Sequence, residues 1–118
     1  MALTPATKAT DIWEEVDFTE KHSSLTLTRN ISMYNAETKE VLISLTLKGS
    51  GSIPQNTQLL KLDKHPSGPV EIVAIKYPSG GVDSAFRAAV LDTGAIHVTR
   101  CSIANNDEIY ISGSFVAV

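Results

Sequence analysis

A single cysteine, Cys101, stands among the 118 residues, which excludes an internal disulfide and any cysteine-rich zinc site. Aromatic residues are sparse as well, with one Trp, three Tyr and three Phe. There is no basic excess: ten Lys and Arg face thirteen Asp and Glu, for a formal net charge of −3. That balance lacks the electrostatic footprint of a nucleic-acid module. No run approaches the roughly 18 apolar residues of a membrane span, and the first residues lack the charged-then-apolar layout of a secretory signal. Helical patterning is missing too, since no apolar i, i+3, i+4, i+7 repeat persists beyond residue 20. The length suits one domain with a modest core and leaves no room for a barrel of eight βα units.

What remains is rich in residues that suit strands. Ile, Val and Thr total 30, and their branched Cβ atoms fit a pleated sheet better than a helix. Seven Gly and five Pro punctuate the chain at short intervals. Asp11 to Phe18 is ambiguous between a short helix, with Asp11 capping and Glu14 completing a capping box, and an extended segment anchored by Trp13 and Phe18. Leu25, Leu27, Arg29, Ile31 and Met33 alternate with polar residues, which predicts one strand with one buried face. Val41, Ile43, Leu45 and Leu47 repeat the pattern, so 25–48 reads as a hairpin. Gly49-Ser50-Gly51-Ser52 reads as an intradomain loop, because Ile53-Pro54 follows directly. Thr57 to Leu62 is a short strand. Val70 to Tyr77 carries Val70, Ile72 and Ala74 on one face and Val73 and Ile75 on the other, which predicts burial on both sides. Ala85–Leu91 and Ala95–Cys101 form a hairpin around Asp92-Thr93-Gly94, and Ile109 to Val118 closes the chain. About seven or eight strands at this spacing predict an all-β, antiparallel β-sandwich or jelly-roll-like fold.

Catalytic signatures are weak. Asp92-Thr93-Gly94 matches the motif of retroviral-type aspartic proteases, in which two protomers each supply a carboxylate. It lies too late, however: 24 residues follow Gly94, too few for a flap and a closing helix. A tight turn with Gly in the left-handed position accounts for the same residues. There is no Gly-x-Ser-x-Gly elbow, and Cys101 reads as a structural thiol in an alternating strand. His22, His65 and His97 lack metal-ligand spacing. Neither a metal nor a cofactor is expected, and the chain reads as non-enzymatic.

The order of the second half is distinctive. Ile53-Pro54 leads to Leu59–Leu62, then to a break at His65-Pro66 and to a strand. The hairpin Ala88–Val98 follows, and then Glu108-Ile109-Tyr110-Ile111-Ser112-Gly113-Ser114-Phe115. Over residues 25–118 this order resembles the C-terminal head domains of receptor-binding proteins from the tail fibres and baseplates of phages of Gram-positive, especially lactic acid, bacteria. The resemblance implies a homotrimeric β-sandwich head over 21–118 at the virion's tail tip, binding host cell-wall or pellicle saccharide. It implies that residues 1–20 are a connection to a neck or shoulder, through which other phage tail proteins attach, or a cloning remnant. Contact with nucleic acid or insertion into a membrane is not expected. The alternative is a structural trimeric tail or capsid decoration without saccharide binding.

Saccharide sites combine an aromatic platform with fixed polar side chains. The candidate ligand residues are therefore Tyr77, beside the turn Pro78-Ser79-Gly80-Gly81, together with Asp83, Arg87, His97 and Arg100 on or near the second hairpin. Each also has a plainer reading: the edge of the core for Tyr77, and solvent or an interface between protomers for the charged residues and His97.

Overall fold

The computed structural model describes residues 13–98 and 101–118. Among these residues there is no helix, and ten strands run antiparallel in one curled, sandwich-like sheet. In chain order they are β1 (Trp13–Glu15), β2 (Phe18–Lys21), β3 (Leu25–Asn30), β4 (Met33–Asn35), β5 (Glu40–Gly49), β6 (Thr57–Leu62), β7 (Val70–Tyr77), β8 (Ser84–Val90), β9 (Ala95–Val98) and β10 (Glu108–Val116). The spatial order is β1-β4-β5-β10-β7-β8-β9-β6-β2, and β3 also pairs with β5. The strands beyond the expected seven or eight are short pieces, β1, β2 and β4, of three or four residues. The ambiguous segment before Phe18 is extended, not helical, over its described part from Trp13.

The sheet curls because one stretch of chain serves both its ends. β1 and β2, the outermost strands of the path, are separated only by Val16 and Asp17. Val16 is buried in the core and donates its N–H to the Ser32 carbonyl. Drawn together this way, the inner faces enclose one cluster built from Val41, Ile43, Leu45 and Leu47 of β5, Ile109, Ile111 and Phe115 of β10, and Leu59, Leu60 and Leu62 of β6. Ile96 and Val98 of β9, Ala88 and Val90 of β8, and Ile72 and Ala74 of β7 also belong to it. Period-two alternation puts the residues of β5, β7, β8, β9 and β10 on one side of the pleat, whereas in β6 a register shift between Gln58 and Leu60 lets the adjacent Leu59 and Leu60 both be buried. Burial of that side drives the collapse.

Two alternation patterns depart from the sequence-based expectation. The first is the strand that opens at Leu25. It contains a register shift between Leu27 and Arg29, which inserts Thr28 as an extra residue. A bulge of one residue transfers everything after it to the opposite face. Arg29 thus turns outward, Ile31 is 59% exposed, and Ser32 is buried where an apolar residue would be expected. Asn30 and Ser32 compensate locally. The Asn30 side-chain oxygen accepts from the Ser32 N–H at 3.0 Å, and the Ser32 hydroxyl accepts from the Ser44 N–H at 3.0 Å. The continuous strand therefore becomes β3 and β4. The second departure is β7, which is covered on one face only: Ile72 and Ala74 are buried, whereas Val73 is 52% exposed.

The hairpin β8–β9 turns at Asp92-Thr93-Gly94, with Gly94 at φ +89° and its N–H donated to the Leu91 carbonyl at 2.9 Å. At Gly113 the backbone of β10 comes close to Ile72 of β7, so a Cβ there would lie 2.5 Å from the Ile72 methyl. Glycine thus lets β10 sit tightly against β7 where their pairing ends at Ser112.

Candidate functional site

The outward rows of β5, β10, β7 and β8 follow from the register. Lys48, Glu108 and Tyr77 form one row, and Thr46, Tyr110, Ile75 and Ala85 form the next. Ser44, Ser112, Val73 and Arg87 form a third. Tyr77 and Tyr110 are diagonal neighbours across β7 and β10, and their rings meet edge to face with centroids 4.8 Å apart and planes at 73°. This is a preferred geometry for an aromatic pair, in which the positive ring edge meets the negative face. Both rings remain solvent-accessible, 36% and 40% exposed. The Tyr110 hydroxyl lies 3.4 Å from the Glu108 carboxylate, to which it donates.

Asp107 anchors the loops around this pair. Although charged, it is only 4% exposed. One carboxylate oxygen accepts from the Ser79 N–H at 3.3 Å, and the other from the Ala104 N–H at 2.8 Å. Its own carbonyl accepts from the Gly49 N–H at 2.8 Å, and Asn106, in a left-handed conformation at φ 69°, donates its N–H to the Gly49 carbonyl. One side chain therefore ties the turn after Tyr77 and the loop before Glu108 together, and its backbone adds the end of β5. A buried carboxylate is tolerated because each oxygen has a donor. Lys76 adds a further tie, with Nζ donating to the Ser102 carbonyl at 3.2 Å.

Cys101 lies in this loop, past the end of β9, and not in an alternating strand; it is half-buried. Burial pushes its thiol pKa up, Lys76 pulls it down and Asp107 pushes it up again, with burial the largest influence. A thiol held in its protonated form is a poor nucleophile.

The residues singled out from the sequence fall into separate places. Tyr77 ends β7 beside Tyr110. Asp83 is exposed in the 78–83 loop, on the same end of the sheet. Arg87 projects outward from β8 and approaches Glu71 at 3.5 Å, with both side chains largely exposed (81% and 71%). Such a surface pair contributes little to stability. His97 is half-buried on the outward side of β9, between Ala89 and Gln58. Arg100 lies outside the described residues. Arg87 and His97 thus flank the Glu71 end of β7. Tyr77 lies at the opposite end, roughly 20 Å away at the rise of an extended strand.

Sequence reasoning missed Tyr110 as a site residue, although a signal was present. Ile109 and Ile111 face the core, so the alternation alone turns Tyr110 outward. It also missed Thr46, which lies next to Tyr110 on the outward row and yet is only 4% exposed. Its hydroxyl finds no hydrogen-bond partner among the described residues, while its carbonyl accepts from the Thr28 hydroxyl at 3.2 Å. A buried hydroxyl without a partner costs about 1–3 kcal/mol, so Thr46→Val is expected to raise stability by about 1 kcal/mol. Urea unfolding, with an unchanged slope and a higher midpoint, checks this.

Among the described residues, no three His, Cys, Asp or Glu side chains converge as a metal-binding group. No protein-family model matches the chain, and no curated protein matches it.

Proposed function

We propose that this chain is a non-enzymatic adhesion head, of the kind carried by tail fibres and baseplates of phages of Gram-positive bacteria. It attaches as a homotrimer to host cell-surface saccharide. The observation that supports this reading best is the exposed Tyr77–Tyr110 pair, held on adjacent strands of a rigid sheet. Sugar rings present apolar C–H faces with hydroxyls at the rim, and an aromatic platform beside fixed polar groups complements both. Glu108 accepts beside Tyr110, and Lys48 lies in the same row as Glu108 and Tyr77. Asp83 supplies a further carboxylate from the adjoining loop. Sites built on strands hold their geometry better than sites built on loops. Binding at one such shallow surface is weak, and several linked copies raise it through effective concentration.

The test is binding of the purified protein to an array of Gram-positive cell-wall saccharides. Tyr77→Ala and Tyr110→Ala are each expected to weaken binding at least about tenfold, equivalent to about 1.4 kcal/mol, with circular dichroism unchanged. Undiminished binding in both variants overturns the assignment of the site. Assembly without binding to any saccharide favours the structural tail or capsid module.

A further inference from the structure

The Thr46 hydroxyl is the one buried side-chain polar atom without a hydrogen-bond partner among the described residues. An atom of this kind is completed by a water, an ion or a ligand. Thr46 lies on the outward side of β5, because Leu45 and Leu47 face the core. The register sets its neighbours: Ser44 and Lys48 along β5, Tyr110 across on β10 and Arg29 across on β3. Arg29 holds this place because of the register shift after Leu27. Without the extra residue Thr28 it would follow Leu25 and Leu27 to the inner side. Its guanidinium reaches β5 and donates to the Ser44 hydroxyl at 3.1 Å.

The groups gathered around the Thr46 hydroxyl are donors. Arg29 and Lys48 belong to no ion pair among the described residues, whereas Lys61, Lys64 and Arg87 each meet a carboxylate. The Ser44 hydroxyl accepts from Arg29 and keeps its own proton to give. One carboxylate stands nearby: Glu108 lies opposite Lys48, diagonal to Thr46, and accepts from the Tyr110 hydroxyl. Two cations against one anion leave a single positive charge uncompensated. Donors without acceptors fit a ligand group that only accepts, and one spare positive charge fits one negative charge. Arg29, Lys48 and Tyr110 are themselves exposed. Exposed side chains change rotamer on the picosecond-to-nanosecond scale, so the Thr46 hydroxyl is reached without moving the backbone.

We infer that Thr46, Arg29 and Lys48 form an oxyanion subsite beside the tyrosine platform. It takes a singly charged carboxylate or phosphodiester carried by a saccharide whose ring lies on Tyr110. The inference rests on the platform being the saccharide site and adds the charge of the saccharide. The hydroxyl that costs stability in the free protein gains its acceptor on binding, a trade of stability for function.

Titration of the backbone amides by nuclear magnetic resonance tests it, with methyl glucuronide, the methyl phosphodiester of glucose, methyl glucoside and acetate as probes. At least one acidic sugar is expected to shift the Thr46 and Arg29 amides and to bind at least about tenfold more tightly than methyl glucoside. The one that does so identifies the group. In Thr46→Val and in Arg29→Gln that preference is expected to fall toward one. Thr46→Val is also expected to be more stable than the wild type, so its loss is not one of unfolding. Equal affinity for acidic and neutral sugars overturns the inference and leaves the platform a neutral-saccharide site. A preference undiminished in either variant overturns it too, as does the absence of any shift at Thr46 and Arg29 with all four probes. Acetate that shifts these amides, with no sugar bound, keeps the oxyanion subsite and removes the saccharide reading.

Discussion

Gly94→Ala should destabilise the protein by about 3 kcal/mol and lower its thermal midpoint by roughly 10 °C. Two independent costs combine at this position. The backbone is left-handed at φ +89°, where an L side chain is strained. The added methyl would also lie 2.6 Å from the Leu62 carbonyl oxygen and 3.1 Å from that of Lys64, and backbone atoms cannot rotate away. The Leu62 N–H donates to the Gly94 carbonyl at 2.9 Å, so displacement of Gly94 also loosens the end of β6. Gly80→Ala separates the two costs: its φ is +82°, but no atom lies within 4 Å of the new methyl. It should lose only about 1 kcal/mol. Calorimetry on both variants is the measurement, and equal losses would show that the steric cost is absent.

Asp107→Ala should cost a similar amount, about 3 kcal/mol, because it leaves the N–H groups of Ser79 and Ala104 without their acceptors. The effect extends beyond stability. Freed from Asp107, the turn after Tyr77 no longer has its tie to the loop before Glu108, and the platform loses its support from both sides. Amide hydrogen exchange at Ser79 and Ala104 should accelerate by more than the global loss of stability explains. On the proposed adhesion function, saccharide affinity measured well below the thermal midpoint should fall with it. Asp107→Asn keeps one acceptor oxygen but turns an amide toward a donor, so it should recover only part of each loss. If amide exchange at both positions is unchanged in Asp107→Ala, the clamp does not hold these loops.

Much of the fold could be read because period-two alternation is a local property. The strands read at Thr57–Leu62, Val70–Tyr77 and Ile109–Val118 each follow from their own residues, and the last is observed as Glu108–Val116. The turn at Asp92-Thr93-Gly94 follows from its composition. Where the reading failed, the deciding information was not local. Nothing in Leu25–Met33 announces a bulge at Thr28, since the extra residue is defined only by the partner strand β5. Val73 and Ile75 look like a second buried face until the sheet is seen to be covered on one side. The candidate site divides in the same way. Tyr77 was legible from its place before a glycine-rich turn, whereas its pairing with Tyr110 depends on β10 lying beside β7, two strands more than thirty residues apart in sequence. Asp107 carries no local signal of its role, because composition cannot show which carboxylates find buried donors.

The position of β10 also bears on how the chain reaches this structure. It lies between β5 and β7, in the middle of the sheet, yet it is the last strand in the described sequence. Until residues 108–116 emerge from the ribosome, β5 and β7 each present a hydrogen-bonding edge with nothing to pair with, beside apolar inner faces that lack their cover. The central pairing joins residues at least sixty positions apart, as Glu108 opposite Lys48 illustrates, so loop closure comes before the contacts that repay it. The interval between synthesis and completion is thus when the chain is most exposed to wrong strand pairing, with itself or with a neighbouring nascent copy.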